Sequence, residues 1–528
     1  MVAISTQLLI AAGLDIGLHY FFCKGAMSSL SLLLWFLPIT PIVMILCIVY
    51  GVLIYPNYVS PYKNMIALPN KHWLWGTYAE YGEHNYEQAE YMEKHYPGHA
   101  FTRFHGPLGS DYIMTQSLEA HIQVLQTHAY KFVKPTFINR GMKAIIGNGL
   151  FFAELEDHKV QRRIITPAFT HGHVKSYIPA FMEKIKLVYN IFDGYTKDGP
   201  SVFEQVPIFV RLTLDAIGEA TFGVNMHAID DENNELLAAY HRLSTPADDP
   251  FFFLCNGFIP GFRYLPLATN RKMKQAKKVF RESCRAVLMQ KVGAVSEKKL
   301  EGKDRDIVSI LLRDSEHQWT IDEIENQIMT FLLAGHETTT GALTWTLWAL
   351  AQHPDVQEKL RQEVRAAFPG GIDDITSADA VESLKYLNNV LREGLRVHPP
   401  LPIAVREAAE NVTIENTFIK KGTVVQVSIA LLNKSPRLWG PDAEEFKPER
   451  WDTRPMEHAY GFSTFFQGPR ACIGRRLAEV ELKCILAAFV AKYKFEMISP
   501  DQKVMTDFVV TAKPMDGLPL KVTRLEGW

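Results

Sequence analysis

One cysteine near the C-terminal end of the chain lies in a segment whose composition points to chemistry. This segment, "FFQGPRACIGRR" from Phe465 to Arg476, is called the cysteine segment below; it surrounds Cys472 with two glycines, one proline and three arginines. A nucleophilic cysteine needs a base, and this segment has no histidine, although one distant in sequence could fold against it. A zinc site needs companion ligands at short spacing, and the segment has none.

A single thiolate that binds haem iron fits this segment better than either alternative. Gly474 lets the backbone approach a flat macrocycle, because it has no side chain. Backbone N–H groups, and the N-terminus of the helix predicted after Gly474, stabilise negative charge on the sulfur of Cys472. Arg470 is placed to pair with a haem propionate.

The cysteine segment also carries a family resemblance. It matches the pattern F-x-x-G-x-R-x-C-x-G through Phe465, Gly468, Arg470, Cys472 and Gly474. In this the chain resembles the cytochrome P450 monooxygenases, over roughly residues 56–528. The resemblance implies haem b with its iron bound by the Cys472 thiolate, and a cofactor site that includes Phe465, Arg470 and Gly474.

A second motif is "EGLR", from Glu393 to Arg396. Side chains three residues apart on a helix share one face, so these two can form an ion pair. Taken alone, most such pairs are solvated surface pairs. The later segment "FKPERW" supplies Arg450, and the resemblance implies that all three form a buried structural network, since buried charges need full pairing.

A third motif is "AGHETT", from Ala334 to Thr339, within a long helical pattern. The Thr338 hydroxyl can reach the carbonyl of Ala334, four residues earlier, and such a bond bends a helix and makes a polar notch. An ordinary polar patch on a helix is the alternative for the motif alone. The resemblance implies that Glu337 and Thr338 deliver protons while O2 is activated.

Further residues are assigned by family position. His158 occupies the place where many members have tryptophan, and Arg162 lies four residues later on the same helical face. The resemblance implies that both, together with Arg406, bind the haem propionates. The substrate pocket is expected to be apolar and to take a lipophilic molecule; its predicted residues are Leu333, Ala334, Ile403, Val405 and Val509.

The elements that position these residues are mostly helical. Apolar spacing predicts helices over His158–Phe169 and Ile321–Gln352, and proline and glycine signals bound further helices in Pro354–Gly371 and Val381–Pro400. Strand signals are concentrated in residues 411–432, "NVTIENTFIKKGTVVQVSIALL". The predicted fold class is mainly α with a small β component, and the resemblance implies the cytochrome P450 fold with a single catalytic domain behind an N-terminal membrane anchor.

The N-terminal region predicts that anchor. No charged side chain lies between Lys24 and Lys63, and the main apolar span covers about residues 30–55, with a possible second segment at 7–23. Residues 56–76 form a proline-marked hinge, expected to be non-helical, and residues 77–528 the haem-thiolate domain. Lysines after the span place that domain in the cytosol, on the endoplasmic reticulum membrane.

Composition excludes several other classes. The chain has 528 residues and a net charge of -2, and this lack of basic excess argues against nucleic-acid binding. Its six cysteines include no C-x-x-C pair, so neither a disulfide framework nor a zinc module is indicated.

The resemblance implies a monooxygenase that inserts one oxygen atom of O2, as co-substrate, into a terpenoid, polyketide or similar specialised metabolite; the general likeness is to fungal enzymes of that kind. Electrons would come from NADPH through NADPH-cytochrome P450 reductase, with cytochrome b5 as an optional partner. A basic docking face for the reductase is expected from Lys159, Arg163, Arg475, Arg476 and Lys483. The alternatives are a haem-thiolate isomerase or dehydratase, which often lacks the acid-threonine pair, and a non-catalytic haem-binding protein.

Overall fold

The computed structural model describes residues 42, 45, 46, 48–68, 72, 76, 77, 91, 94–244, 252, 255–257, 259, 261–296, 306–453, 461–508 and 511–528. Most of the predicted anchor, including the segment at 7–23, lies outside these residues, as does Val509. Within the described part, no helix combines the length and the apolar character that crossing a bilayer requires.

Helices dominate the described chain. The α-helices cover Leu118–Ile122, Thr136–Ile146, Leu155–Ile165, His171–Lys175, Ile178–Tyr195, Val206–Phe222, Glu235–Ser244, Ala268–Ser296, Ile307–Arg313, Ile321–Gln352, Pro354–Ala367, Ala378–Glu382, Lys385–Val397, Ile429–Asn433, Pro436–Trp439, Arg450–Thr453 and Arg475–Lys492. Two π-helical segments cover Tyr50–Val59 and Gln123–Thr127. Short 3-10 turns cover Pro107–Gly109, Ala129–Lys131, Thr166–Phe169, Phe262–Tyr264, Gly371–Asp374 and Gly468–Arg470.

Twelve strands among the described residues form small sheets. They are β1 (Phe101–His105), β2 (Asp111–Thr115), β3 (Phe132–Val133), β4 (Ser201–Glu204), β5 (Ile403–Ala408), β6 (Val412–Ile414), β7 (Thr417–Ile419), β8 (Val424–Ser428), β9 (Tyr493–Glu496), β10 (Thr506–Phe508), β11 (Ala512–Pro514) and β12 (Pro519–Arg524). The largest sheet has the order β1-β2-β8-β5-β3, with β2 and β8 parallel. The other sheets are β4-β12-β9, β6-β7 and β10-β11. The mainly α fold with a small β component is therefore confirmed.

The helix Ile321–Gln352, called the central helix below, has the predicted limits and runs through the main apolar core. It starts with a capping box, in which Thr320 and Glu323 each bond the other's backbone N–H. Gly335 lies where this helix crosses Val206–Phe222, and a Cβ there would be 2.4 Å from the Ile217 side chain. The glycine therefore allows close helix packing, and the central helix is continuous through it.

Two local predictions are corrected. The hinge was expected to be non-helical from Pro56, but the helix Tyr50–Val59 includes that proline. Tertiary bonds hold this segment on β1 and β2: the Arg103 guanidinium donates to the Pro56 carbonyl at 3.0 Å, and the Tyr55 hydroxyl donates to Asp111 at 2.7 Å. In the predicted strand region, residues 429–433 are helical instead, because the Ser428 side chain caps the backbone N–H of Leu431 at 3.2 Å.

Candidate active site

The cysteine segment is held in shape by its glycine and by a backbone bond. Gly468 has a φ of +73°, and a Cβ there would be 2.4 Å from the Leu125 carbonyl oxygen, so both conformation and space require glycine. The Cys472 N–H donates to the Phe465 carbonyl at 2.8 Å, which closes the loop. Cys472 therefore lies just before the first turn of the helix Arg475–Lys492.

The Cys472 thiol is enclosed by protein but keeps a solvent-accessible face. Burial raises the pKa of Cys472, whereas the Gly474 N–H, Arg162 and Arg475 each act to lower it. A Cβ at Gly474 would meet only ordinary contacts, at 3.8 Å from Phe169 and 4.0 Å from the Cys472 sulfur. The polypeptide alone does not require glycine at this position.

A cluster of basic side chains lies beside the cysteine segment. It brings together the predicted propionate-binding residues and adds Lys134. Arg162 donates to the Ala471 carbonyl at 2.7 Å, and Arg470 donates to the Ala153 carbonyl at 3.1 Å and to Glu154. Arg406, on β5, donates to the Val405 carbonyl at 3.0 Å. The Nδ1 atom of His158 lies 3.2 Å from the Tyr130 hydroxyl.

The charges in this cluster are poorly balanced. Burial, together with the charge of Arg470, lowers the pKa of Arg406 to about 10. Burial and the same cationic neighbours lower the pKa of His158 to about 3, and burial with Arg406 lowers that of Lys134 to about 7. Within the described residues, the carboxylate paired with this group is that of Glu154, which lies 3.5 Å from the Lys134 ammonium and also pairs with Arg470. Sequence reasoning missed Glu154 and Lys134, because no motif contains them.

These observations test whether haem fits. Haem b has an iron atom, a flat macrocycle and two carboxylates. The protein has an accessible thiol, a surplus of buried cations, and a glycine at position 474 where its own contacts would allow a side chain. The Arg470 Nε atom is also buried without a partner in the described structure. Two propionates would supply the missing negative charge, so the donor set fits the group.

The central helix presents the predicted oxygen-activation residues. The Thr338 hydroxyl donates to the Ala334 carbonyl at 2.7 Å, which is the bond that the motif predicted. Thr339 makes the same kind of bond to Gly335 at 2.8 Å. Ala334 is exposed and Thr338 half-buried, so this face of a largely buried helix remains accessible.

Glu337 has partners that the sequence did not indicate. Its carboxylate accepts bonds from the Tyr240 and Thr511 hydroxyls, the latter at 2.9 Å, and pairs with the Lys513 ammonium at 2.9 Å. Burial raises the pKa of Glu337, but Lys513, Tyr240 and His336 outweigh it and hold that pKa below its usual value. The carboxylate is thus kept ionised, and no local signal marks the partners because they come from distant segments.

Glu393, Arg396 and Arg450 lie together in one buried network, as the resemblance implied. The Arg396 Nη2 atom lies 2.7 Å from the Glu393 Oε1 atom, and the Arg450 Nε atom lies 3.2 Å from the same oxygen. Trp451 donates from its indole N–H to Glu393 at 2.9 Å, and Arg396 also donates to the Asn433 carbonyl at 2.7 Å. This network joins the helix Lys385–Val397 to the segments before the cysteine segment.

A cavity of about 670 Å³ borders the central helix. Leu333 and Glu337, one turn apart, line it, whereas Ala334, Ile403 and Val405 do not. Ile403 is buried in β5 and Val405 is half-buried beside it. Of the predicted pocket residues, Leu333 is therefore the one that the structure places in this cavity.

The predicted basic face needs one correction. Lys159, Arg163 and Arg476 are exposed and Arg475 is half-buried; Lys159 and Arg475 form ion pairs with Glu156 and Glu479. Lys483 is only 8% exposed, because it lies on the inner side of the helix Arg475–Lys492. It cannot contribute to a docking surface in this conformation.

Comparison with known proteins gives consistent results. A sequence model of the family Cytochrome P450 matches residues 66–518. The chain is similar to cytochrome P450 monooxygenase sphH of Aspergillus fumigatus, with 34% identity over 504 residues, covering 91% of this chain and 92% of the relative. It is also similar to cytochrome P450 monooxygenase buaD of Petromyces alliaceus, with 30% identity and 94% of each chain covered. A third relative is cytochrome P450 monooxygenase FSL4 of Gibberella zeae, with 28% identity over 95% of this chain and 98% of the relative.

Proposed function

The chain belongs to the cytochrome P450 family and is a monooxygenase, and we propose that it oxidises a lipophilic small molecule, a terpenoid, polyketide or similar specialised metabolite. One oxygen atom of O2 enters the substrate, and the electrons come from NADPH through a separate reductase, with cytochrome b5 as an optional second donor. The observation that carries the proposal is the accessible Cys472 thiol beside a surplus of buried cations.

Haem iron bound to a thiolate supplies the oxygen chemistry, and the protein supplies position and protons. Cys472 would bind the iron, while Arg162, Arg406 and Arg470 would hold the propionates, and neutral His158 would donate a hydrogen bond to one of them. Phe465 and Gly474 would flank the macrocycle. The macrocycle would then explain why position 474 is a glycine, which contacts within the polypeptide do not explain.

Protons would pass through the accessible face of the central helix. The Thr338 hydroxyl gives its hydrogen to the Ala334 carbonyl, which leaves its oxygen free to accept a bond from water or substrate. Glu337 begins as a carboxylate paired with Lys513, so it can take up a proton only when that ion pair loosens. The pair therefore controls when Glu337 acts as a proton donor.

We further propose that the chain is anchored in the endoplasmic reticulum membrane by its N-terminal segment, with the catalytic domain in the cytosol. The uncharged stretch between Lys24 and Lys63 supports this. In its described part, apolar side chains such as Ile45, Leu46 and Leu53 are exposed. Removal of residues 1–55 should move the protein from the membrane fraction to the soluble fraction.

The difference spectrum of the reduced protein with carbon monoxide tests the proposed ligand. Wild type should give the red-shifted Soret band of thiolate ligation, and Cys472→Ser should lose it while retaining the helical circular dichroism spectrum. An unchanged band in Cys472→Ser would remove Cys472 as the ligand. NADPH consumption and the formation of oxygenated product with added reductase then test the reaction. Product formed without NADPH would indicate an isomerase or dehydratase. The absence of turnover with any candidate metabolite would indicate a non-catalytic haem protein.

A further inference from the structure

The cavity beside the central helix has an apolar body and a basic wall. Its volume of about 670 Å³ is ample for a small lipophilic molecule. Apolar side chains make up much of the lining, among them Met142, Ile145, Leu243, Phe280 and Leu333. The same lining contains five cationic side chains, Arg263, Arg271, Lys274, Lys277 and Lys513, against one carboxylate, Glu337.

Most of this positive charge has no counter-charge. The Lys513–Glu337 ion pair neutralises one cation and the one carboxylate of the lining. Arg271 and Lys274 are exposed, so water screens their charges. Lys277 and Arg263 are half-buried, and in the part of the chain that the structure describes neither has a carboxylate partner.

Lys277 and Arg263 are both held by backbone carbonyls of one helix, Thr136–Ile146. Lys277 donates to the Ala144 carbonyl, and Arg263 donates to the Arg140 carbonyl, one helical turn earlier, at 2.9 Å. Burial lowers the pKa of Lys277, and the positive charges of Arg281 and Arg263 lower it further. The positive charge of Arg263 therefore disfavours the charged form of Lys277, and a bound anion would relieve this repulsion.

Other anions nearby are already engaged. Arg281, the remaining cation next to Lys277, pairs with Glu325 at 2.9 Å and with Asp322 at 3.4 Å. The Ala144 and Arg140 carbonyls of the helix Thr136–Ile146 give Lys277 and Arg263 only partial negative charge, which does not match two full positive charges. Both side chains also keep donors beyond those used on the carbonyls.

We propose that the substrate of this cavity is a lipophilic acid, whose carboxylate binds Lys277 and Arg263 while its apolar body extends towards Leu333 on the central helix. This inference rests on the proposed function, because it names the class of molecule that the monooxygenase receives. Lys277 and Arg263 act as specificity residues that fix one end of the substrate, and the carbon that is oxidised lies towards the other end.

Equilibrium dialysis of the purified haem-loaded protein at neutral pH tests the proposal. The probes are dodecanoic acid and methyl dodecanoate, which share one chain and differ in charge. Wild type should bind the acid about tenfold more tightly than the ester, the effect of one partly buried charge-assisted contact. Lys277→Gln should lose that preference, Arg263→Gln should weaken it, and Lys277→Arg should retain it.

Lys278→Gln is the matched control, because Lys278 is the next residue on the same helix, is exposed and pairs with Glu282 at 3.7 Å. It should leave both affinities unchanged. Equal binding of acid and ester by wild type, binding of neither probe, or an equal loss of both in Lys277→Gln would overturn the proposal. The carbon monoxide spectrum of each variant separates this result from a failure of the proposed function, because that spectrum reports thiolate ligation whatever the cavity binds.

Discussion

The Lys513 ammonium and the Glu337 carboxylate lie 2.9 Å apart, and this ion pair joins the strand β11 to the central helix at the edge of the cavity. Tyr240 and Thr511 donate hydrogen bonds to the same carboxylate. Three segments of the chain thus meet on one acidic side chain, which is ionised in the folded protein.

Lys513→Met should destabilise the protein at neutral pH. Without the Lys513 charge, less remains to offset the effect of burial, so the pKa of Glu337 should rise. Because Lys513 is 41% exposed, solvent screening limits the expected loss to about 1 kcal/mol. Urea denaturation at several pH values measures this difference.

The pH dependence of that loss has a definite sign. The folded-state pKa of Glu337 lies below the ordinary value of 4.5, so its pairing stabilises the fold above pH 4.5 and is lost as the pH falls through the folded-state pKa. Wild type and Lys513→Met should therefore converge in acid. Lys521→Met, which removes a partly exposed pair with Glu496 at 3.6 Å, is the control and should change stability less. A difference that grows in acid would contradict the assignment.

Thr338→Ala should uncouple electron use from product formation. Loss of the hydroxyl removes the proposed proton-handling group, so NADPH consumption should continue while hydrogen peroxide rises and product per NADPH falls severalfold. Thr346→Ala is the matched control for Thr338→Ala, because the Thr346 hydroxyl makes the same kind of bond to the Ala342 carbonyl at 2.7 Å, two turns further along the central helix. Its product yield per NADPH should stay near that of wild type, and an unchanged yield in Thr338→Ala would argue against the relay.

Glu393→Gln should be strongly destabilising. The substitution keeps the shape of the side chain but leaves Arg396 and Arg450 buried without their shared anion, which costs about 3–5 kcal/mol. Denaturation midpoints and the haem content of the purified protein measure the effect. Lys186→Met removes an exposed pair with Asp373 and should cost under about 1 kcal/mol. Similar stability in the two variants would show that the network is not a stabilising centre.

His121→Gln should make the protein less sensitive to acid. Burial lowers the pKa of His121 to about 3, from an ordinary 6.5, so the unfolded chain binds a proton that the folded chain does not. In wild type this difference in proton binding lowers the free energy of unfolding by up to about 1.4 kcal/mol for each pH unit below 6.5. Glutamine can retain the bond that the Thr115 hydroxyl makes with Nδ1 at 2.9 Å. Equal slopes in wild type and His121→Gln would refute the prediction.

Local sequence signals were enough for the central helix and for several backbone details, whereas the long helices Ile178–Tyr195 and Ala268–Ser296 were not predicted individually. The central helix has its predicted limits because its apolar spacing and its Thr320–Glu323 capping box both lie within the segment itself. The Thr338 bond to Ala334 follows from four-residue spacing on a helix. The helix at residues 429–433 was missed because "IALL" suits a strand as well as a helix, and the deciding Ser428 cap depends on where β8 ends.

By itself, the sequence determined the identity of the cysteine segment, the pairing possible between Glu393 and Arg396, and the mainly helical fold, because each depends on residues close together in the chain. Only the tertiary structure decided that Glu337 pairs with Lys513, that Lys483 is buried, and that Lys277 and Arg263 face one cavity. Those relationships depend on packing between distant segments. Burial and long-range electrostatics arise only when that packing is complete, so no short motif records them.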